Sequence, residues 1–229
     1  MAQISDKCPG IIQFCRTRVT LLDDDGTPAT GDDNMYVSDK EVSLAITSDV
    51  EEGQRRTVRS GCGCVVVTQR SPDTLLGYTF ELVDGVWEPA LESLMLGYDA
   101  IHDTSDDPVI IGYNVSGDQL VCGGVQAKVA LEAWAYAWDG QGQDADLGAI
   151  HFVWPLTRWQ VAPGTLGEDP LTPTLNGYSE RNDNWGDPYS DTPSDGTTAI
   201  AVDFHARWME DIADLPDASC GRQTVPAIT

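Results

Sequence analysis

The chain has 229 residues, of which 41% are hydrophobic, and this composition is typical of one large or two small globular domains. Its 37 acidic residues outnumber its 13 basic residues and give a formal net charge of −24. Tight binding of nucleic acid is therefore unexpected, because neutralising phosphates requires lysine and arginine. The sequence contains no apolar run long enough to span a membrane and begins without the apolar region of a signal peptide, so we expect neither a membrane protein nor an exported one.

Strands separated by turns dominate the predicted elements. The β-branched first strand is expected to end at the acidic turn of residues 23–28, because Asp and Gly tolerate left-handed backbone and Pro ends pairing. A polar loop is expected at residues 29–35, and residues 54–67 hold a basic cluster followed by a Gly-Cys-Gly-Cys segment. In chain order, strands are predicted at residues 11–22, 36–46, 75–83, 109–115, 129–138, 150–161 and 198–209.

The segment around residues 88–97 is predicted to be a short α-helix. Pro89 suits the first turn, where its missing N–H costs nothing, and Gly97 lies where the helix should end. Such a short helix is marginal alone in water, so it must dock on the β framework. Its apolar residues recur at the spacing of one helical face: Leu91, Leu94, Met95 and Tyr98.

The second half of the chain is less regular. Residues 129–138 alternate bulky and small side chains, and this period of two favours a strand although alanine is the best helix former. Pro155 predicts that its strand is an edge strand or bends. Residues 163–197 are rich in Gly, Pro, Asn and Asp and are interpreted as a long ordered loop, and the packing of residues 198–229 stays open. Together these signals predict a single all-β domain over residues 1–229, a β-sandwich or barrel with one flanking helix.

No pattern in the sequence points to a catalytic residue, a cofactor or a metal. The acidic run at residues 23–25 invites a calcium loop, but the twelfth position from its start is Asn34 rather than the required Glu. Residues 140–145 match G-x-G-x-x-A, but a strand rather than a helix is expected after them. Seven tryptophans among many acids could suggest a glycoside hydrolase, although with 37 acids some carboxylate pair always fits. We therefore expect a protein that is not an enzyme.

The cysteines and histidines give no stronger signal. Cys8, Cys15, Cys62 and Cys64 could supply four sulfurs, but their spacing is poor for structural zinc. We expect them to act as small buried hydrophobic residues, with a disulfide as the alternative. The three histidines are scattered and lie in none of the common catalytic motifs.

Seven segments of the chain share their order with a known protein family. They are residues 16–28 (Arg-Thr-Arg-Val-Thr-Leu-Leu-Asp, then Gly-Thr-Pro), 36–39 (Tyr-Val-Ser-Asp), 42–46 (Val-Ser-Leu-Ala-Ile), 51–53 (Glu-Glu-Gly), 88–97 (Glu-Pro-Ala-Leu-Glu-Ser-Leu-Met-Leu-Gly), 129–134 (Val-Ala-Leu-Glu-Ala-Trp) and 184–189 (Asn-Trp-Gly-Asp-Pro-Tyr). This order resembles the major tail proteins of siphophages that infect actinobacteria. The resemblance covers roughly residues 10–190.

The resemblance implies a structural virion protein of the phage tail, assembled in the host cytoplasm. Members of the family form hexameric rings that stack into a hollow tube, and inner strands of six subunits close a continuous barrel. The implied partners are copies of the chain itself together with the tape measure, terminator and distal tail proteins. DNA would pass through the lumen without specific binding, and an acidic lumen would favour this because like charges repel.

Subunits that each carry a net charge of −24 must still assemble, so opposite charge is expected at their contacts. The basic cluster is predicted to face an acidic loop of a neighbouring subunit, with a solvated surface patch as the alternative. Long loops at residues 23–28 and 163–197 are further candidates for contact between rings. The candidate contact residues are Arg55, Arg56, Arg59, Asp23, Asp24, Asp25, Trp185 and Tyr189.

Two other classes stay open from the sequence. A secreted carbohydrate-binding or hydrolase domain would share the all-β pattern, although the apparent lack of a signal peptide disfavours it. A tail terminator would share the virion location, but it would stop at one ring where a tube protein stacks.

Overall fold

The computed structural model describes residues 9–105, 109–115, 126–139, 147–162, 173–185, 204–209, 215–218 and 222–225. These residues confirm an all-β fold with one short helix. In chain order the elements are β1 (Pro9–Leu21), β2 (Gly31–Ser38), β3 (Glu41–Glu51), β4 (Arg55–Arg59), β5 (Val65–Arg70), β6 (Thr74–Asp84), α1 (Pro89–Leu96), β7 (Asp99–His102), β8 (Ile110–Asn114), β9 (Val129–Asp139), β10 (Leu147–Val161), β11 (Thr174–Ser179), β12 (His205–Met209) and β13 (Gln223–Val225). No helix in these ranges is long and apolar enough to span a membrane.

One antiparallel sheet of nine strands organises the described residues. Its order is β13-β2-β1-β9-β10-β11-β6-β3, and β12 pairs with β10 beside this path. Two further ribbons, β4–β5 and β7–β8, each contain two strands. The predicted strand at residues 129–138 is confirmed as β9, which lies between the long strands β1 and β10.

Strand β10 changes partners at Pro155. On one edge, Ala149–Val153 pairs with β12, whereas Thr157–Val161 pairs with β11. The register against β9 shifts between Trp154 and Thr157, on either side of the proline. Pro155 therefore occupies a register irregularity of an interior strand, so the edge-strand alternative is wrong. A proline is tolerated here because its missing N–H falls where ladder pairing is already interrupted.

Helix α1 packs its apolar face on one side of the sheet, as predicted. Leu91 and Met95 are completely buried, and they belong to one core cluster with Leu131 and Trp154 of the sheet. The helix ends at Gly97, whose φ of 69° is left-handed, and the next N–H returns to the Ser93 carbonyl at 2.9 Å. A glycine suits this position because it has no Cβ to clash in the left-handed conformation.

The opposite side of the sheet is covered by late segments of the chain. Trp185 is buried against Leu22 and Val153, and Leu215 packs on Trp134. Both faces of the central strands are therefore buried, and this explains why β9 carries apolar residues on each face.

Three sequence predictions of elements are wrong. The loop expected at residues 29–35 is largely strand β2, and the strand expected at residues 36–46 is broken at residues 39–40, between β2 and β3. The loop expected at residues 163–197 contains β11, which pairs with both β10 and β6. Within β11, alternate residues are buried (Leu175, Gly177 and Ser179), but glycine and serine hide this period of two from a hydrophobicity reading.

Candidate assembly surface

A hairpin that stands apart from the main sheet holds the basic cluster. We define the basic hairpin as residues 54–71, which include β4, β5 and the turn between them. Every residue of both strands is exposed. The segment contains four of the 13 basic residues of the chain and no acidic residue. It is therefore a positively charged extension of a strongly acidic protein.

Like charges face each other within this hairpin. Arg55 is the cross-strand partner of Arg70, and such pairs destabilise a sheet. Arg59 donates to the Gly63 carbonyl at 3.1 Å and Arg70 pairs with Asp73 at 2.9 Å, whereas Arg56 makes no side-chain hydrogen bond or ion pair within the described part of the chain. The pairing of Arg55 with Arg70 would be relieved by a negatively charged surface brought against the hairpin.

The basic hairpin also exposes apolar side chains. Val58, Val65, Val66 and Val67 are between 52% and 62% exposed. Because consecutive strand residues point to opposite faces, these valines give each face of the hairpin apolar surface. An isolated hairpin of two strands is marginally stable in water, so such a hairpin gains stability when a partner covers it.

A tight crossing of the chain joins the basic hairpin to the sheet. A Cβ atom on Gly53 would lie 1.8 Å from the Ser71 carbonyl oxygen, so only glycine fits at this crossing. The Gly53 N–H donates to the Asp73 carboxylate at 2.8 Å, and the Ser71 N–H donates to the Gln54 carbonyl at 3.0 Å. These contacts hold the hairpin at a defined position although its strands are exposed.

Strand β3, which leads into the hairpin, is an edge of the main sheet. It pairs with β6 on one side, and no other strand in the described ranges pairs with its second edge. Three apolar side chains on it are exposed: Val42 at 63%, Ile46 at 43% and Val50 at 45%. An edge with free backbone donors and acceptors is a template for pairing with another chain.

The two cysteines of the basic hairpin lie in its turn and are exposed. Cys62 and Cys64 are both free thiols, so the expectation that they are buried hydrophobic residues is wrong, as is the disulfide alternative for them. Both lie between two strands that are exposed along their whole length in the described structure. Cys15 is half-buried in β1, donates to the Trp134 carbonyl at 3.2 Å, and has its pKa raised to about 11, chiefly by burial. Cys8 lies outside the described residues.

The acidic turn predicted as a contact is fastened to a second predicted contact segment. The Asn182 side chain donates to the Gly26 carbonyl at 2.8 Å and to the Pro155 carbonyl at 3.0 Å. The Asn184 amide donates to the Asp25 carbonyl at 2.6 Å. The structure thus brings the turn at residues 23–28 beside the segment that contains Trp185.

The three aspartates of this turn are exposed, whereas Trp185 is 2% exposed and buried in the core of its own chain. The Thr27 hydroxyl, at 2.8 Å, and then the Thr27 N–H lower the pKa of Asp25, so this carboxyl is ionised at neutral pH. The turn therefore offers an acidic surface in a fixed position, and Trp185 belongs to the core cluster that contains Leu22, the residue before the turn. Tyr189 lies outside the described residues.

The most prominent buried charges stabilise the fold rather than form an open site. Glu132 lies 2.7 Å from an Arg18 guanidinium nitrogen and 3.0 Å from His151 Nε2. Burial alone would raise the pKa of Glu132, but the Arg18 charge and then the His151 hydrogen bond bring it to about 2. Arg18 and His151 also contact the Trp134 ring, so the whole group is packed beneath the late segments.

No group of three or more potential metal-ligating residues occurs in the described ranges. Comparison of the sequence with protein-family models and with curated proteins finds no match. The sequence signal for the basic hairpin was the three arginines, whereas the edge position of β3 is a property of the strand order. A hairpin could have been predicted from the two β-branched runs on either side of a glycine-containing turn.

Proposed function

We propose that this protein is a structural subunit that assembles with copies of itself into stacked hexameric rings, forming the hollow tail tube of a long-tailed phage. The observation that carries this proposal is a free edge strand, β3, that continues into a fully exposed, apolar and basic hairpin on a strongly acidic chain. The order of segments shared with siphophage tail proteins supports the same role.

A neighbouring copy supplies the partner that the basic hairpin needs. The described residues outside the hairpin are rich in acids, and the turn of Asp23, Asp24 and Asp25 presents three exposed carboxylates in a fixed position. Opposite charges steer such surfaces together, and burial of the hairpin valines then stabilises the contact. Hairpin and turn are different surfaces, so the contact is heterologous and propagates from copy to copy.

A polar sheet face suits the bore of such a tube. In register across four strands lie Gln160, Asn176, Glu81 and Ala45, and the last of them is on the edge strand β3. If β3 pairs with the next copy, this polar row continues from subunit to subunit around a ring. DNA would pass over it without adhering, because the row offers no cation to a phosphate.

Sedimentation velocity and negative-stain electron microscopy of the full chain at increasing concentration test the proposal. We expect six-fold rings that stack into tubes. Single rings that never stack would favour a tail terminator. A monomer at every concentration would contradict self-assembly and favour the carbohydrate-binding or hydrolase alternative.

Charge reversal tests the contact itself. The triple variant Arg55→Glu, Arg56→Glu and Arg59→Glu is expected to stay monomeric, whereas the triple variant Arg55→Lys, Arg56→Lys and Arg59→Lys, which keeps the three positive charges, is expected to assemble. Mixing the glutamate variant with the variant Asp23→Arg, Asp24→Arg and Asp25→Arg should restore hetero-assembly. Assembly of the glutamate variant at wild-type concentrations would refute the role of the hairpin.

A further inference from the structure

Two carboxyl groups lie opposite each other at one end of the antiparallel pair β3–β6. Glu41 is the first residue of β3 and Asp84 the last of β6, and they are cross-strand partners in the antiparallel pair. Asp84 is completely buried. Like charges directly opposite each other destabilise a sheet, and the effect grows when water is excluded.

The Asp84 carboxyl has no hydrogen-bond donor to stabilise a negative charge. Neither of its oxygens has a partner among the described residues, and Glu41 Oε2 has none either. Glu41 Oε1 accepts from the Thr17 hydroxyl. A buried ionised carboxylate without donors is strongly disfavoured, so the group takes up a proton instead.

Two more carboxyl groups approach from the N-cap and first turn of helix α1, and both accept hydrogen bonds. Glu88 accepts from Tyr36 at 2.9 Å and from Ser38 at 2.6 Å, and it pairs with Lys40 at 3.2 Å. Lys40 is the cation that contacts this cluster in the described part of the chain.

The second helical carboxyl, Glu92, accepts from the Tyr113 hydroxyl at 2.8 Å and from Trp87 Nε1 at 3.3 Å. Hydrogen-bond donors therefore reach Glu88 and Glu92, whereas none in the described ranges reaches Asp84. Burial raises the pKa of Glu92 as well, against the hydrogen bonds from Tyr113 and Trp87. A proton that enters this cluster stabilises the fold most on the Glu41–Asp84 pair.

We infer that Glu41 and Asp84 form a proton-binding pair that locks the edge strand β3 against β6 and α1, and that the lock loosens when the pair loses its proton. This inference concerns the folded chain and does not depend on the proposed function. It assigns a role to the one buried carboxyl of the described chain that has neither donor nor cation on either oxygen.

The pKa directions agree with this geometry. Burial, and then the charges of Glu41, Glu88 and Glu92, raise the pKa of Asp84 to about 8. Burial raises the pKa of Glu41 to about 7. A hydrogen bond from its own backbone opposes this shift, and the negative charge of Glu88 adds to it. The two groups titrate as a coupled pair. Because both pKa values are raised on folding, the stabilisation is fully present below pH 4 and is lost as the pH rises through 7 to 8.

The test is the pH dependence of unfolding by urea for the wild type and for Asp84→Asn, which removes the charge and keeps the shape. Between pH 5 and pH 8 the wild-type unfolding constant is expected to rise by about tenfold per pH unit from Asp84 alone. Asp84→Asn should lose this part of the slope. Asp49→Asn removes an exposed carboxylate on the same strand β3 and should keep the wild-type slope.

A direct readout separates a bound proton from general charge repulsion. The infrared difference between wild type and Asp84→Asn at pH 6 should contain the carbonyl band of a protonated carboxyl, and that band should vanish above pH 8. Hydrogen exchange should show that protection of the β3 and α1 amides falls over the same range. Absence of the band at pH 6, or identical slopes in all three proteins, would overturn the inference. If Asp84→Asn fails to fold, Glu41→Gln replaces it and is expected to shift the band's midpoint to lower pH.

Discussion

The centre of the sheet and the basic hairpin are built from the same kinds of residue and differ in everything that surrounds them. Val19 in β1 is completely buried, whereas Val66 in β5 is 62% exposed. Arg18 in β1 lies against Glu132, whereas Arg55 in β4 faces Arg70. In the centre Val19 packs in the core cluster and Arg18 has its counter-charge within the chain. In the hairpin the valines stay exposed and Arg55 faces another arginine, so we propose that a second molecule covers these side chains.

This contrast separates stability from assembly. Burial of the central side chains supplies the free energy of folding, and mutations there act on the monomer. The strands of the hairpin are exposed in the monomer, so we expect mutations there to act on the proposed association.

The largest effect is expected from removing the basic hairpin. Replacing residues 54–71 by a two-residue Asn-Gly turn should abolish rings and tubes, while the monomer keeps its free energy of unfolding to within about 1 kcal/mol, because the exposed strands bury little. Sedimentation velocity measures the first quantity and urea unfolding the second. A monomer that loses most of its stability would show that the hairpin belongs to the core after all.

The next effect concerns the buried charge in the centre. Glu132→Gln leaves the Arg18 guanidinium buried without its counter-charge, and breaking such a pair typically costs about 3–5 kcal/mol. Urea unfolding at pH 7 measures this loss. The control is Glu81→Gln, an exposed glutamate on β6, for which we expect a change within about 0.5 kcal/mol.

Glu132 should also make the free energy of unfolding depend on pH, with a sign opposite to that expected for the Glu41–Asp84 pair. The pKa of Glu132 is lowered on folding from 4.5 to about 2, so its stabilisation is present above pH 4.5 and is lost as the pH falls towards 2. Acid unfolding of the wild type should therefore steepen over this range, and Glu132→Gln should flatten it. Equal acid profiles for the two proteins would contradict the assignment.

How far the sequence predicts this molecule depends on whether a signal is local. Helix α1 was predictable because its apolar spacing, Pro89 and Gly97 all lie within one short segment. Strand β9 was predictable from its alternation. Strand β11 was not, because its inward residue Gly177 is small for a tertiary reason: a Cβ there would lie 2.7 Å from the Trp159 ring.

The candidate surfaces divide in the same way. The basic cluster was visible as three arginines in five residues, but the exposure of the hairpin depends on which elements pack against it. The pairing of Glu41 with Asp84 depends on the register between β3 and β6, which lie far apart in sequence. No rule of sequence spacing predicts such a contact, so it could be identified only from the folded structure.

The smallest effect comes from one substitution made in both regions. Val→Thr keeps the size and β-propensity of the side chain and adds a hydroxyl, so it measures only whether the site is dry. At Val153, which is 1% exposed, the buried hydroxyl should cost about 1–3 kcal/mol in urea unfolding. At Val66 the monomer should change by less than about 0.5 kcal/mol, because water reaches the hydroxyl.

Assembly reverses the order of these two variants. If a neighbouring copy buries the hairpin, Val66→Thr should raise the protein concentration needed for ring formation. Val153→Thr should leave that concentration unchanged when it is measured without urea, at a temperature where the variant stays folded. Sedimentation velocity over a concentration series measures both. A Val66→Thr protein that assembles like the wild type would mean that the apolar face of the hairpin stays wet in the assembly, and only its charges would then remain as the basis of the contact.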